Sequence, residues 1–355
     1  MKGKKQFSGF PGDCSPEQLN TLAKFREQAE ALGGLDDQFD DPYLLRFLRA
    51  RNFDIGKTLE MWKNYIQWRK EHNVDNIMDI DFPEINEAKK YYPHGFFRTD
   101  KQGRPMYFER NGYLKIDQFT KVISQERIEA YSIQKYERLI NIILPGCSQA
   151  AGKRIEQTCF IVDLKNFKSS KMTSKTWDLV KLMSKIGSNY YPETLGVMFI
   201  VNAPVIFYGI WNVAKYFLEE ETRQKIHILG SKYHKELLEF VNIEDLPDFL
   251  GGKATSEDYG DNFTNEQGPW VRSPVKTPSF SQIDKNEYND EEEFAEKEFE
   301  IPVDKSKVAY QSSCENFRLH PYDDFDFDNL EVALEGIQIS SIREFKSQPS
   351  LHLCN

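Results

Sequence analysis

The sequence predicts an α/β fold in which a small N-terminal helical unit precedes a mixed, largely parallel sheet. Three observations support this prediction. Helix-start signals and apolar periodicity dominate up to about residue 75, a strand–turn–strand pattern follows near residue 100, and strands then alternate with helices from Thr158 onward. The strand segments are almost continuously apolar, which is typical of parallel strands that helices cover.

Three helices are predicted within the first 75 residues. Ser15-Pro16-Glu17 is typical of a helix start, because it combines a hydroxyl cap, a proline in the first turn and an acid near the positive end of the helix dipole. We expect this helix to end at Gly33-Gly34. Asp41-Pro42 repeats the start signal before the segment 43–51, and a third helix is predicted from about Ile55 to His72.

The middle of the chain predicts a sheet. The segments 96–99 and 105–109 flank the turn 100–103 and indicate a hairpin. A helix is then expected from Ser124 towards Ile143. The elements that follow are strands at 158–163, 197–202 and 225–229 and helices at about 175–186, 205–217 and 234–241. The hairpin is therefore expected to extend a sheet whose other strands are parallel.

The formal net charge of −10 is concentrated at the C-terminal end. Residues 271–355 hold 9 basic and 18 acidic side chains, so the rest of the chain is close to neutral. An acidic balance argues against nucleic acid as a partner, because binding phosphates needs a basic surface. We predict a helical subdomain at 1–75, a larger α/β domain at 76–270 and a mostly disordered acidic tail at 271–355.

The cysteine content and the apolar runs also indicate the cellular compartment. The five cysteines are widely spaced and lack a C-x-x-C pair, which favours a reduced compartment and no structural zinc. The polar first residues do not resemble a secretory signal, and no apolar run approaches the ~20 residues that span a bilayer. We therefore expect a cytoplasmic protein whose contact with membranes is peripheral.

The sequence contains no recognisable pattern of an enzyme. The stretch Gly146–Arg154 has five residues between its glycines where a Walker A loop has four, and Arg154 stands where Ser or Thr is required. Six residues separate Cys147 from Arg154, and a glycine precedes the cysteine, which disfavours a phosphatase loop. His227 lies in an apolar strand and is more typical of a core than of catalysis. We predict no enzymatic activity, no metal and no cofactor.

Eight short motifs occur in one order between about Ser15 and Trp270. They are LLRFLRAR at 44–51, TDKQGRPMYFE at 99–109, CSQAAG at 147–152, VDLK at 162–165, NYYPE at 189–193, VNAP at 201–204, ILG at 228–230, and LP with GGK at 246–253. In this order and spacing they resemble the CRAL-TRIO lipid-binding family, and within it the fungal-type Golgi phosphatidylinositol/phosphatidylcholine transfer proteins. The acidic tail is outside the resemblance.

The resemblance implies a helical unit packed on a mixed-sheet domain, a deep apolar pocket for acyl chains, and a mobile helix at about 205–221 that gates the pocket. The gate residues are expected to be Phe207, Ile210, Trp211, Val213 and Phe217. Periodicity alone fits an ordinary core-covering helix equally well. Gly251 and Gly252 are expected to form a tight turn under the gate, where a side chain at Gly252 would be disruptive. A helix-capping glycine pair is the alternative.

An inositol headgroup needs a cation for its phosphate and both donors and acceptors for its hydroxyls. The family positions for these roles match Arg51, Glu193, Thr222 and Lys225. Lys225 or Arg51 can bind the phosphate, and Glu193 can accept from ring hydroxyls. Taken singly, each residue also fits an ordinary structural role. The most similar relatives carry Arg after this glutamate where this chain has Thr194, and we expect the difference to weaken one support of the site.

A second family site binds phosphocholine through hydroxyls and aromatic faces. The matching positions are Phe96, Tyr107, Thr158 and Phe160. Phe96 stands where relatives have Tyr and Phe160 where they have Thr, so two phosphate donors are missing. Each lost bond to a charged group costs about 1.5–3 kcal/mol. We expect phosphatidylcholine to bind weakly or not at all and a more apolar ligand to replace it, unless water or other donors compensate.

The resemblance implies a carrier that exchanges phospholipid at Golgi or endosomal membranes, with phosphatidylinositol as its main cargo. A phosphoinositide kinase and a tail-binding protein are the protein partners that we consider, and the chain is expected to be a monomer. One alternative is a lipid-sensing adaptor that acts through the tail, where Ser273-Pro274 and Thr277-Pro278 offer phosphorylation sites. Another is a carrier of a sterol, retinoid or tocopherol, against which the phosphate-binding set argues.

Overall fold

The computed structural model describes residues 7–33, 35, 38–214 and 220–271, so the predicted tail beyond residue 271 lies outside the described residues. The α-helices are α1 (Pro16–Ala31), α2 (Asp41–Arg49), α3 (Ile55–Glu71), α4 (Ile85–Ala88), α5 (Ile116–Val122), α6 (Gln125–Arg138), α7 (Leu144–Ala151), α8 (Ser174–Tyr190), α9 (Val205–Ala214), α10 (Glu220–Gln224), α11 (His234–Phe240) and α12 (Ser256–Tyr259). The strands are β1 (His94–Thr99), β2 (Pro105–Glu109), β3 (Thr158–Asp163), β4 (Leu195–Val201) and β5 (Ile226–Ile228). Short 3-10 helices lie at Val74–Asp79, Asn111–Tyr113, Ser169–Lys171, Asp248–Leu250 and Pro269–Val271. The predicted α/β fold class is confirmed.

The N-terminal helices begin close to where the sequence predicts, with one correction. Ser15 caps α1 and forms a reciprocal capping box with Gln18, which satisfies two backbone donors. The cap of α2 is Asp40 and not Asp41. The Asp40 carboxylate accepts from the amide of Tyr43 at 2.8 Å, whereas Asp41 is already the first helical residue and contributes its charge to the helix dipole.

The helix predicted at 124–143 is longer than expected. α6 leads into one π-helical turn at Leu139–Ile143 and continues as α7, which ends at Gly152 in the left-handed conformation (φ +63°). The stretch 146–154 is therefore the end of a helix and the turn after it, and not a phosphate loop. Burial raises the pKa of the Cys147 thiol to about 12, which makes this cysteine a poor nucleophile.

The five strands pair in their order along the chain. β1 and β2 form the predicted antiparallel hairpin, and β2, β3, β4 and β5 run parallel to one another. One row of paired residues crosses the whole sheet and consists of Phe96, Tyr107, Phe160, Met198 and Ile226. Because side chains alternate along a strand, this row lies on one face of the sheet, which we call the cleft face.

The two faces of the sheet are covered to different extents. On the outer face, α11, α12 and their connections bury side chains such as Phe108 and Phe199 almost completely (1% and 0% exposed). On the cleft face, Phe160 and Met198 remain partly exposed, although they lie on inner strands of the sheet. The sheet therefore has a packed core on one side and a partly exposed apolar surface on the other, and we call the space over this surface the cleft.

The N-terminal helices share a core with the sheet domain. Side chains of α1, α2 and α3 pack in one cluster with Ile133 of α6 and with Tyr191. Within this cluster Arg69 donates to Glu137 at 2.8 Å, and both side chains are buried (6% and 7% exposed). Arg69 also donates to the Tyr65 hydroxyl at 2.9 Å, and the Tyr191 hydroxyl donates to Glu137 at 2.7 Å. A satisfied polar network thus joins α3 to α6.

We predict that Arg69→Met destabilises the protein by about 3–5 kcal/mol, because it leaves the buried Glu137 carboxylate without its cation. The measurement is urea unfolding followed by circular dichroism, with the change read from the midpoint. Lys63→Met, at an exposed position of the same helix, should change the stability by no more than about 0.5 kcal/mol. Equal stabilities of the two variants would contradict the prediction.

Candidate functional site

Three charged residues lie just before three adjacent strands. Glu156 precedes β3, Glu193 precedes β4 and Lys225 precedes β5. Neighbouring parallel strands begin at the same edge of a sheet, so residues that are distant in sequence come together there. Lys225 Nζ donates to Glu193 Oε2 at 3.3 Å. The edge thus presents an acid and a base beside the apolar cleft.

Glu193 has an unusual backbone conformation. Its φ of +60° lies in a region that costs a residue with a side chain about 1–2 kcal/mol. The turn around it is held by hydrogen bonds. The Thr194 hydroxyl donates to the Tyr191 carbonyl at 3.1 Å, and the Thr194 carbonyl accepts from the amide and the hydroxyl of Thr158 at 2.8 and 3.0 Å. Thr194, which we expected to weaken the site, is itself a buried part of this turn.

The other two residues predicted to bind the headgroup differ in their placement. Thr222 lies in α10, and its carbonyl accepts from the amide of Lys225 at 3.2 Å, just before β5. Arg51 follows the end of α2 and lines a groove with Trp68 of α3 and Tyr190 of α8. The structure therefore joins Lys225 to Glu193 through side chains and to Thr222 through the backbone, and it places Arg51 in a neighbouring groove.

Arg49 is a site residue that the sequence analysis missed. Its guanidinium is 6% exposed and lies 3.3 Å from Glu156 and 3.9 Å from Glu193. It also stacks over the ring of Phe10 at 3.9 Å from the centroid. Burial lowers the pKa of Arg49, and the two carboxylates oppose this shift. The available signal was its place in the same motif as Arg51, two residues before it.

The edge offers both kinds of contact that a hydroxylated anion needs. Lys225 and Arg49 both approach Oε2 of Glu193. The carboxylate of Glu193 is partly exposed (19%), so it can accept from a ligand hydroxyl. The ammonium of Lys225 is partly exposed (23%) and can turn towards a ligand phosphate.

Replacing Glu193 separates backbone strain from charge. Glu193→Ala and Glu193→Gly both remove the carboxylate, but only glycine adopts a positive φ without a steric penalty. We expect the glycine variant to be more stable than the alanine variant by about 1 kcal/mol in urea unfolding. At the exposed helical residue Lys63 the same two replacements should give the opposite order, also by about 1 kcal/mol. The same order at both positions would show that the turn is not held in this conformation.

The residues predicted for the second lipid lie together on the cleft face. The ring of Tyr107 is 4.6 Å from that of Phe96 and 5.3 Å from that of Phe160. The hydroxyl of Thr158 donates to the carbonyl of the turn before β4, so its proton is already used. The hydroxyl of Tyr107 accepts from Lys135 Nζ at 2.9 Å and keeps its own proton available for donation.

Lys135 brings a positive charge to this face that the sequence analysis did not assign. It extends from α6, and its Nζ lies 5.1 Å from the ring centroid of Tyr107 and 5.3 Å from that of Tyr131. Burial lowers the pKa of Lys135 to about 8, and the neighbouring Glu109 opposes this shift. Burial also raises the pKa of Glu109, and Lys135 opposes that shift. Because the pKa of Lys135 is about 8, its charged form predominates at neutral pH.

The predicted gate helix is described in part. α9 follows β4, and Phe207 packs edge-on against Phe167 with the ring centroids 6.0 Å apart. Val205 and Tyr208 face outward (73% and 36% exposed). Trp211 is partly exposed. The side chains of Ile210 and Val213 lie outside what the structure describes, as does the whole of Phe217. The described part of α9 thus packs Phe207 against the core of the cleft face and exposes Val205 and Tyr208 to solvent.

Gly251 and Gly252 form a tight turn on the outer side of the sheet. Gly251 ends a 3-10 helix with φ +79°, and a Cβ atom on Gly252 would overlap the carbonyl oxygen of Leu246. His234 of α11 packs over Gly251. Phe207, by contrast, belongs to the core of the cleft face. The described contacts of the turn are with α11, so its role under the gate stays a prediction.

We predict that Gly252→Ala destabilises the protein by about 1–3 kcal/mol, because the added methyl group must displace the backbone at Leu246. The measurement is urea unfolding, and lipid transfer by the same variant tests the gate prediction separately. Gly230→Ala is the control, since a Cβ atom there meets open space. We expect this control to stay within about 0.5 kcal/mol of the wild type. Equal effects of the two variants would contradict the described turn.

The chain matches two family models. The model described as CRAL/TRIO domain matches residues 86–252, and the model described as CRAL/TRIO, N-terminal domain matches residues 15–64. The protein belongs to the CRAL/TRIO family. The resemblance that its motifs indicate is confirmed, and the predicted domain limits at residues 75 and 270 stay predictions.

Curated relatives from yeasts and a plant align with the same part of the chain. The SEC14 cytosolic factor of Candida glabrata is 40% identical over 264 residues, which are 74% of this chain and 87% of that protein. The phosphatidylinositol/phosphatidylcholine transfer protein SFH12 of Arabidopsis thaliana is 40% identical over 261 residues, which are 73% of this chain and 48% of that protein. The chain therefore spans about half the length of the Arabidopsis relative. The crystal structure of Sfh5 aligns with a TM-score of 0.47 and 17% identity over 69% of this chain and 90% of that one.

In residues 7–33, 35, 38–214 and 220–271, His, Cys, Asp and Glu side chains do not gather in threes or larger groups that could hold a metal ion. No helix in those ranges combines the length and the apolar character that crossing a bilayer requires.

Proposed function

We propose that this member of the CRAL/TRIO family carries one phospholipid between membranes without covalent chemistry, with phosphatidylinositol as its main cargo. The observation that supports this most is the ion pair of Glu193 and Lys225 at the edge of an apolar cleft. Phosphatidylinositol carries a phosphodiester charge, ring hydroxyls and acyl chains in one molecule. Lys225 suits the phosphate, Glu193 suits the hydroxyls and the cleft face suits the chains. The relative SFH12 is named a phosphatidylinositol/phosphatidylcholine transfer protein, which agrees with this cargo class.

The favourable free energy of lipid binding comes from keeping the acyl chains out of water. Phe160, Met198 and Ile226 offer apolar surface that is partly exposed on the cleft face. Each CH₂ group that moves from water to such a surface contributes about 0.8 kcal/mol. A two-chain lipid therefore favours the cleft strongly over water and only weakly over a membrane. This small difference is what an exchange between membranes requires.

Access to the cleft is proposed to occur through α9 at a membrane surface. Val205 and Tyr208 place apolar surface in solvent on this helix, while Phe207 anchors it to the cleft-face core. Such a helix can enter the interfacial region of a bilayer without spanning it. We take the membranes to be those of the Golgi or endosomes and the contact to be peripheral. A phosphoinositide kinase would be the natural consumer of a presented lipid.

The test is mass spectrometry of lipids extracted from the purified protein, wild type beside Thr222→Ala/Lys225→Ala. We expect phosphatidylinositol to co-purify with the wild type and to fall at least about tenfold in the double variant, because a charged hydrogen bond to the phosphate is lost. Stability should change little, since Lys225 is partly exposed and its ion pair is screened by solvent.

A matched control is Ser231→Ala/Lys232→Ala, which removes the same two kinds of group from an exposed turn after β5. This variant should retain its phosphatidylinositol. The headgroup assignment fails if the wild type carries no phosphatidylinositol or if both double variants retain it equally. In that case the cleft serves another apolar ligand and the residues at the sheet edge are structural.

A further inference from the structure

A lysine occupies the position on the cleft face where a choline headgroup would meet aromatic rings. Lys135 Nζ lies 2.9 Å from the Tyr107 hydroxyl and 5.1 Å from the Tyr107 ring centroid. This ring is the middle of the aromatic row that Phe96 and Phe160 complete. An ammonium group at this distance repels a second cation, such as the quaternary ammonium of choline, from the same ring.

The lysine has donors left for a ligand. An ammonium group has three N–H bonds, and the hydroxyl of Tyr107 takes one of them. In the part of the chain that the structure describes, Lys135 forms no salt bridge, although the carboxyl group of Glu109 is near enough to raise its pKa. The Tyr107 hydroxyl, which accepts from the lysine, can donate its own proton. An anionic oxygen placed between these two groups would receive a charge-assisted bond and a hydroxyl bond.

The titratable neighbours of Lys135 act on its charge in different directions. Glu109 raises the pKa of Lys135 and so supports its charged form, whereas Lys89 lowers it. Burial lowers the pKa of His94 well below its usual value, which favours the neutral imidazole. Lys89 is engaged elsewhere, since its Nζ donates to the carbonyl of Phe263 at 2.8 Å. Lys135 therefore places a cation, with Glu109 near it, next to apolar surface of the cleft face.

We propose that Lys135 and Tyr107 form an anion-binding site on the cleft face, and that the second lipid carries a carboxylate or a phosphate monoester instead of phosphocholine. This replaces our expectation of a more apolar second ligand. The two missing hydroxyl donors at Phe96 and Phe160 are compensated by a cation from α6, which the aligned strand positions alone do not reveal. The inference rests on the proposed lipid cleft, but not on phosphatidylinositol as the cargo.

The experiment is lipid loading from mixed vesicles. The delipidated full chain is incubated with vesicles of equimolar phosphatidic acid, phosphatidylcholine and phosphatidylinositol, re-isolated, and its lipids are quantified by mass spectrometry. A second mixture replaces phosphatidic acid with oleate and so distinguishes a phosphate from a carboxylate headgroup. We expect the wild type to load at least one of the two anionic lipids about tenfold better than phosphatidylcholine.

Three variants assign the preference to this site. Lys135→Met should abolish the preference for the anionic lipid, Lys135→Arg should restore most of it, and Lys121→Met, at an exposed position of α5, should leave it unchanged. Phosphatidylinositol loading should persist in all three and thereby report that they fold. An unchanged preference in Lys135→Met, or preferential loading of phosphatidylcholine by the wild type, would overturn the inference.

The result also separates this inference from the proposed cargo. Loss of phosphatidylinositol from every sample, together with anionic loading that depends on Lys135, would reject the proposed cargo and support the anion site. Phosphatidylinositol loading without any preference for phosphatidic acid or oleate over phosphatidylcholine would support the proposed cargo and reject the anion site. A wild type that loads none of the lipids overturns both.

Discussion

Arg69 and Glu137 face one another where solvent does not reach, and three parts of the chain meet at their side chains. Arg69 comes from α3, Glu137 from α6, and Tyr191 from the turn that leads to Glu193. A buried carboxylate is tolerated only with all of its partners in place, so these three segments must pack in one arrangement. Lys135 lies on α6 as well, two residues before Glu137. The positions of the sheet-edge site and of the cleft-face cation therefore both depend on this one contact.

The unequal faces of the sheet explain how a stable protein can contain a cleft. The outer face has the packed aromatic core that includes Phe108, Phe199 and Phe263. This core and the shared core of the N-terminal helices supply the apolar burial that folding needs. The cleft face then does not have to be filled by side chains. Its partly exposed Phe160 and Met198 can exchange solvent for a ligand without a change in the strands that carry them.

Local signals predicted most of the fold. Caps such as Ser15 and Ser124 act within one turn of the chain, and buried parallel strands have few polar residues, so both can be recognised in a single sequence. The limits of prediction are also physical. The helix predicted to run from Ser124 towards Ile143 continues further, because Pro145 falls in the first turn of α7, where it needs no hydrogen-bond donor. The π-helical turn before it has no local sequence signal.

The site was predictable only in part, and for a different reason. Arg51, Glu193, Thr222 and Lys225 were assigned through the family resemblance, and the structure joins Lys225 to Glu193 and to Thr222. Arg49 and Lys135 act through tertiary contacts with partners more than twenty residues away, which no local pattern encodes. For Arg49 the partners are the carboxylates that precede β3 and β4. For Lys135 it is a hydroxyl on a neighbouring strand, and neither contact leaves a spacing in the sequence.

The ion pair of Glu193 and Lys225 has a consequence for selectivity. Because acid and base already neutralise one another, a ligand cannot simply add its contacts and must replace both halves of the pair. A headgroup with a phosphate but no hydroxyls would satisfy the ammonium and leave the carboxylate to the more distant Arg49, and a sterol hydroxyl would leave the ammonium without an anion. We therefore expect the proposed headgroup pair to disfavour ligands that can match only one of its two charges.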